Sequence, residues 1–126
     1  MSGGRILLID DDDQFRRLVR VMLTTAGYDV QEAANGKLGL ASYRHQRCDV
    51  VITDILMPEG EGLETIQALQ ALDPDVNIIA ISAAGEGRFG HLQTAVAFGA
   101  RAILRKPFSR DQLLSTVTDV LAGGSR

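Results

Sequence analysis

Four consecutive acidic residues, Asp10–Asp13, directly follow the aliphatic stretch Ile6–Ile9 near the start of the chain. Carboxylates this close repel one another, and two that share a site raise the pKa of one of them. A bound Mg²⁺ would relieve the repulsion, because this hard cation takes oxygen ligands, uses few carboxylates and keeps several waters. The acidic run therefore has two interpretations, a cation site or a solvated helix start.

Three further residues with reactive or hydrogen-bonding side chains follow later apolar stretches. They are Asp54 after "VVIT", Ser82 after "IIAI" and Lys106 after "AILR". A carboxylate can attack phosphorus and form an acyl phosphate. A hydroxyl and an ammonium can donate hydrogen bonds to the phosphoryl oxygens. Together these residue types suit phosphoryl transfer, which depends mainly on positioning and on charge stabilisation.

The elements that must position these residues alternate between strands and helices. Apolar stretches predict five strands, at residues 5–10, 28–34, 49–54, 76–82 and 101–106. After each strand, helical spacing of apolar residues or a capping residue predicts a helix. The first helix begins at about Phe15, and the second runs from Asn35 to about Gln46. The others are predicted over about 63–72, over about 89–98, and from a capping box of Ser109 and Gln112. Such alternation predicts a parallel sheet with helices on both faces. The carboxyl ends of its strands would gather the acids, Ser82 and Lys106 at one edge.

The first two helices carry specific expectations. Asp12 and Asp13 suit the first turn of the first helix, where the dipole favours anions. The apolar stripe of this helix is predicted at Phe15, Leu18, Val19, Met22 and Leu23, and its solvent face at Arg16, Arg17 and Arg20. Val21 lies off the stripe. The second helix is the weakest prediction, because Gly39 costs about 1 kcal/mol in a helix interior.

Length, charge and cysteine content limit the class of protein. A chain of 126 residues fits one domain. The net charge of −3 gives no electrostatic basis for binding nucleic acid or an anionic membrane, and no apolar run approaches the roughly 20 residues of a membrane span. Cys48 is the only cysteine, so we expect no internal disulfide, a small buried side chain and a cytoplasmic location. His45 and His91 lack partners at metal-ligand spacing and are expected to be solvated.

In combination, four motifs resemble the receiver domains of two-component response regulators, including the chemotaxis regulators. The motifs are "LLIDDDD", "ITDILMPEGEG" around Asp54, "AIS" before a glycine-rich loop, and "LRKPF" at Lys106. Because the resemblance covers nearly all of 5–121, we interpret residues 1–126 as one receiver domain with 122–126 as a tail or linker start. It implies a flavodoxin-like α/β fold, a doubly wound five-stranded parallel sheet in the order 2-1-3-4-5 with five helices.

The same resemblance implies the roles of individual residues. Asp54 would be the phosphoacceptor, and Lys106 and Ser82 would contact the phosphoryl group. Mg²⁺ would be bound by Asp11, by Asp54 and by the backbone carbonyl of Leu56. Asp10 would assist through a water molecule.

Partners and switching follow from the resemblance as well. The phosphoryl group would come from a sensor histidine kinase or a histidine phosphotransfer protein, and the output partner is unknown. We expect a cis Lys106–Pro107 bond. Ser82 and Ile103 occupy the switch positions, and because Ile103 replaces a common aromatic residue, the glycine-rich segment 83–90 is predicted to be the main switching element.

Two alternatives remain open. An Asp-x-Asp phosphohydrolase would use Asp10 as nucleophile and Asp12 as acid, but it gives no account of "TDILMP" and leaves little room for a substrate cap. A flavin-binding or non-phosphorylated interaction module on the same fold would need a Ser-, Thr- and Gly-rich loop after the first strand, where this chain is Asp-rich. Under the receiver interpretation, the protein is not expected to be an enzyme that acts on other substrates. It is expected to be a switch that catalyses only its own phosphorylation and dephosphorylation.

Overall fold

Five parallel strands form a single sheet in the computed structural model, which describes residues 4–55, 61–82 and 99–123. The strands are β1 (Gly4–Ile9), β2 (Tyr28–Ala33), β3 (Val50–Asp54), β4 (Ile78–Ser82) and β5 (Ala100–Arg105). Their order is β2-β1-β3-β4-β5, and every neighbouring pair is parallel. The predicted strand order is therefore confirmed.

Four helices lie in the described part of the chain. They are α1 (Asp13–Thr25), α2 (Gly36–His45), α3 (Glu61–Leu72) and a C-terminal helix (Arg110–Leu121). The predicted caps are confirmed at Asn35 and at the capping box of Ser109 and Gln112. The fifth predicted helix, at about 89–98, and the glycine-rich segment 83–90 lie outside the described residues. Among the four described helices, none is long and apolar enough to cross a membrane.

The sheet is buried on both faces by two separate apolar cores. Side chains alternate along a strand, so Leu7 and Ile9 of β1 face one core while Ile6 and Leu8 face the other. Tyr43 of α2 and Ile66 and Leu69 of α3 join the first core. The second core contains Val19 and Leu23 of α1 and, from the C-terminal helix, Leu113, Val117 and Val120. Burial on both faces explains why the central strands are continuous apolar runs.

The predicted apolar stripe of α1 is wrong at one position. Leu18 is 53% exposed, whereas Val19 and Leu23 are fully buried. The buried face is centred near Val19 and Leu23, and this rotation of the helix turns Arg16 toward the sheet and Leu18 toward solvent. Leu18 satisfies the helical spacing from Phe15 and still lies beyond the edge of the buried face. Val21 is 52% exposed, as predicted.

Cys48 and His45 lie near the amino-terminal end of β3. His45 is exposed, as predicted. Cys48 is only partly buried, against the first core, and its thiol donates to the carbonyl of Val50 at 3.3 Å. Burial raises the pKa of Cys48 to about 11, so at neutral pH the thiol is protonated and a poor nucleophile.

Gly39 of α2 packs directly on β1, which explains a glycine in a helix interior. A Cβ atom added at Gly39 would overlap the side chain of Ile9. We expect Gly39→Ala to lower the free energy of unfolding by about 1–3 kcal/mol, because overpacking outweighs the gain in helix propensity. Urea unfolding measures the change. Ala41→Gly, at an exposed position of α2, should cost only about 1 kcal/mol. A more stable Gly39→Ala variant would contradict the packing argument.

Candidate functional site

Three carboxylates converge at the carboxyl edge of the sheet. Asp10 directly follows β1 and Asp54 ends β3, the neighbouring strand in which Thr53 pairs with Ile9. One oxygen each from Asp10, Asp11 and Asp54 lies within 4.8 Å of the others. Asp10 and Asp54 are buried and Asp11 is exposed, so the cluster opens to solvent on one side. The fold thus brings together the three acids that the sequence predicted to meet.

Lys106 brings a positive charge to the same edge. Its Nζ atom lies 3.2 Å from Asp54 Oδ2 and 3.9 Å from Asp10 Oδ2. The backbone N–H of Lys106 donates to the carbonyl of Ser82 at 2.7 Å, which aligns the end of β5 with the end of β4. The Lys106–Pro107 bond is cis, as predicted. Because β4 separates β5 from β3, the lysine side chain reaches across one strand to contact Asp54.

The electrostatic environment of Asp10 is unfavourable for a carboxylate. Its Oδ1 accepts from the backbone N–H of Asp12 at 2.9 Å, but its buried Oδ2 accepts no hydrogen bond from any described residue. Burial raises the pKa of Asp10 to about 6, and repulsion from Asp54 and Asp11 adds to this effect. A buried acceptor without a donor, beside two further carboxylates, fits the all-oxygen donor set that Mg²⁺ takes.

Of the other predicted site residues, Ser82 and Ile103 lie in the part of the chain that the structure describes, and Leu56 does not. Ser82 is the last residue of β4 and is only 1% exposed, at the same edge as the acids. Ile103 of β5 is partly buried against the first core, with its backbone paired to Ala80. Leu56 lies outside the described residues, so its carbonyl ligand stays a prediction.

Gly62 fixes how closely α3 approaches the end of β3. A Cβ atom at this position would overlap the Cα atom of Ile55, and it would lie 2.5 Å from the carbonyl oxygen of Asp54. Backbone atoms cannot move aside as a flexible side chain does. The first turn of α3 therefore sits directly against the strand end that carries Asp54.

Asp12 and Asp13 serve α1, as predicted. Asp12 is the N-cap, and its Oδ1 accepts from the backbone N–H groups of Gln14 and Phe15 at 3.1 and 3.2 Å. Asp13 is the first helical residue and pairs with Arg16. The acidic run is thus divided by the fold, with the first two acids at the cluster and the last two at the helix start.

The prediction that Arg16 lies on the solvent face is wrong. Its side chain is only 11% exposed, and it donates to the carbonyl of Asp10 at 2.7 Å and to Glu32 Oε1 at 2.9 Å. A third contact, at 2.8 Å, joins it to Asp13 Oδ1. Burial alone would lower the pKa of Arg16, but the hydrogen bonds to Glu32 and Asp13 raise it.

The helical periodicity gives only a partial signal for the burial of Arg16. It lies three residues before Val19 and seven before Leu23, on the face that these two residues bury. Its role is to join α1, the end of β1 and, through Glu32, strand β2. Arg17 and Arg20 are exposed, as predicted.

Comparison with known proteins gives one consistent family. The profile of the response regulator receiver domain matches residues 6–118. The chemotaxis protein CheY of Thermotoga maritima is 33% identical over 119 residues, which are 94% of this chain and 98% of that protein. The transcriptional regulatory protein GlrR of Escherichia coli is 31% identical over 118 residues, 94% of this chain but only 26% of that protein.

The solved structures agree with the sequence comparison. A CheY-like response regulator receiver domain protein from Methanospirillum hungatei superposes with a TM-score of 0.88 at 28% identity, covering 94% of each chain. The profile match spans most of the chain, and the Thermotoga maritima and Methanospirillum hungatei proteins are matched over 98% and 94% of their own lengths. The chain therefore belongs to the response regulator receiver domain family.

Proposed function

We propose that this receiver accepts a phosphoryl group on Asp54. The observation that carries the proposal is the position of the Asp54 carboxylate, which ends β3 beside two further acids and 3.2 Å from the Lys106 ammonium. An Oδ atom of Asp54 attacks phosphorus, a phosphorus–oxygen bond forms, and the bond from phosphorus to the donor breaks. With a phosphohistidine donor, the ring nitrogen keeps the electron pair of the broken bond.

The residues around Asp54 would then hold the product. Lys106 donates to the phosphoryl oxygens in place of the Asp54 carboxylate, and the Ser82 hydroxyl donates to another. Asp11, Asp54 and the backbone carbonyl of Leu56 would hold Mg²⁺, with Asp10 contacting it through water. When bound, this ion supplies neutralisation of the negative charge on the phosphoryl oxygens.

The chain would act as a switch and not as an enzyme of other substrates. It would catalyse only its own phosphorylation and dephosphorylation, with Ser82 and Ile103 at the switch positions and 83–90 as the main moving segment. We propose a single domain over residues 1–126, with a core of about 5–121; the family match over 6–118 and the single sheet support this. The phosphoryl donor would be a sensor histidine kinase or a histidine phosphotransfer protein. The cytoplasmic location stays a prediction.

Labelling with a small phosphodonor tests the proposal against both alternatives. The protein is incubated with acetyl phosphate and Mg²⁺, and its intact mass and peptide masses are measured. A receiver should gain one phosphoryl group on Asp54. An Asp-x-Asp phosphohydrolase should instead turn over the donor in a manner that depends on Asp10, and an interaction module should do neither. A label on Asp10, or no label at all, would refute the assignment.

Docking of the kinase gives a separate prediction. Leu18 and Val21 are exposed apolar residues on α1, with the exposed basic residues Arg17 and Arg20 beside them. We expect Val21→Asp to slow phosphotransfer from the cognate kinase roughly five- to tenfold, as loss of an interface anchor does. Labelling by acetyl phosphate should not change.

A matched control lies on a different helix. Leu38 of α2 is 54% exposed, so Leu38→Asp introduces the same charge at an equally exposed position. It should leave phosphotransfer unchanged. Equal rates for the wild type and Val21→Asp would eliminate α1 as the docking helix.

A further inference from the structure

The Lys106 ammonium has an aromatic neighbour as well as two acidic ones. Among the described residues, Asp54 Oδ2 lies 3.2 Å away, Asp10 Oδ2 lies 3.9 Å away, and the centroid of the Phe15 ring lies 4.0 Å from Nζ. The ammonium stands over the face of the ring. A cation in this position is attracted by the negative face of the ring quadrupole.

The Phe15 ring is itself held in place by its surroundings. It belongs to the first turn of α1, where its backbone N–H donates to the Asp12 cap at 3.2 Å. Its ring packs edge to face on Phe108, with centroids 5.8 Å apart and planes at 79°. Both rings contact the second apolar core. The platform under the ammonium is therefore fixed by a helix on one side and by the chain after β5 on the other.

A lysine at this place needs such a support. Its ammonium is a point charge with three rotatable donors on a flexible four-carbon stem, so its position is poorly defined by the stem alone. Before phosphorylation, the carboxylate of Asp54 holds it by charge. Once Asp54 becomes an acyl phosphate, its side chain is no longer a free carboxylate that attracts the ammonium. The aromatic face of Phe15 is unchanged. The ring can therefore hold the ammonium in both states.

We propose that Phe15 is a positioning residue that holds Lys106 over the acceptor site by a cation–π contact; this inference rests on the proposed phosphorylation of Asp54. Phe15 acts only through Lys106 and takes no part in bond formation. A purely structural role for Phe15 predicts a different outcome, because then only the volume and apolarity of the side chain would matter.

Two kinds of variant separate the roles. Phe15→Leu keeps an apolar side chain but removes the aromatic face, and Phe15→Tyr restores it. Site-specific replacement of Phe15 by 4-fluoro-, 3,5-difluoro- and 3,4,5-trifluorophenylalanine weakens the ring quadrupole stepwise with little change in shape. The fluorinated series covers the case in which Phe15→Leu fails to fold.

The first readout needs no phosphorylation. Protons above an aromatic ring resonate upfield, so the Lys106 Hε signals of the protein without Mg²⁺ should be shifted upfield. The shift should be lost in Phe15→Leu and retained in Phe15→Tyr. Signals at the ordinary lysine position in the wild type would overturn the inference, whether or not Asp54 is phosphorylated.

The second readout is the rate of labelling by acetyl phosphate at saturating Mg²⁺. We expect Phe15→Leu to lower it roughly 2- to 30-fold, the factor that corresponds to one cation–π contact, and Phe15→Tyr to restore it. The rate should fall stepwise with each added fluorine while the unfolding midpoint stays constant. Equal rates across the fluorinated series would overturn the positioning role, whereas a wild type that is never labelled at Asp54 would instead refute the proposed function.

Discussion

Asp54→Asn is expected to abolish covalent labelling by acetyl phosphate and to leave the fold intact. An amide in place of the carboxylate has no anionic oxygen to act as the nucleophile, so no acyl phosphate can form. The substitution is nearly isosteric at a side chain that is 7% exposed, and Lys106 keeps its second carboxylate neighbour, Asp10. Intact mass spectrometry measures the label, and circular dichroism with urea unfolding checks the fold.

Asp12→Asn is the matched control for this experiment. The same change of charge and shape is made two residues after Asp10, but Asp12 caps α1 and stands outside the acidic cluster. Asparagine is as good an N-cap as aspartate. The variant should be labelled and fold like the wild type. Wild-type labelling of Asp54→Asn, or loss of labelling in Asp12→Asn, would contradict the assignment and favour the Asp-x-Asp alternative.

Asp10→Asn is expected to make the protein without Mg²⁺ more stable at pH 7.5, by about 1–3 kcal/mol, at 1.36 kcal/mol per unit of pKa. The pKa of Asp10 in the folded state, about 6, lies above its ordinary value of 3.8. The folded state therefore binds this proton more tightly than the unfolded chain does, and stability falls as pH rises from about 4 to 6. Above pH 6 the folded protein bears the full cost of a buried charge, and asparagine removes that cost.

The dependence on pH and on Mg²⁺ makes this prediction specific. Urea unfolding should show the advantage of Asp10→Asn shrinking toward zero below pH 4, where aspartate is protonated in both states. If Mg²⁺ binds the cluster as proposed, it should stabilise the wild type more than the variant, because a ligand that binds only the folded state stabilises that state. Asp75→Asn removes the same charge at an exposed site and should change little. An Asp10→Asn variant less stable than the wild type without Mg²⁺ would contradict the argument.

Local patterns predicted the elements of this fold and the edge at which the site lies. Strands buried on both faces are continuous apolar runs, and helix caps depend on one or two neighbouring residues, so both are visible in a short window of sequence. Once the strands are known to be parallel, their carboxyl ends must share an edge. Asp10, Asp54, Ser82 and Lys106 follow from that geometry.

Contacts that depend on the rotation of a helix could not be predicted in the same way. Leu18 and Arg16 both lie at the margins of the apolar stripe of α1, and only the packing of Val19 and Leu23 on the sheet decides which of them is buried. From the sequence alone, Gly39 only lowers the helix propensity of α2. Its close contact with the Ile9 side chain, which leaves no room for a Cβ atom, is seen only in the structure. The contact between Phe15 and Lys106 joins distant parts of the chain, and no local pattern encodes it.

The three-way contact of Arg16 has a thermodynamic consequence. The guanidinium of Arg16 joins α1 to the carbonyl of Asp10. The helix that exposes Leu18 and Val21 is therefore linked by a hydrogen bond to a member of the acidic cluster. If the cluster binds a cation as proposed, a partner that binds α1 and shifts it would change the affinity of the cluster for that cation. Linkage is reciprocal, so occupation of the cluster would change the affinity of that partner by the same factor. Arg16 is the residue through which the two equilibria would be coupled.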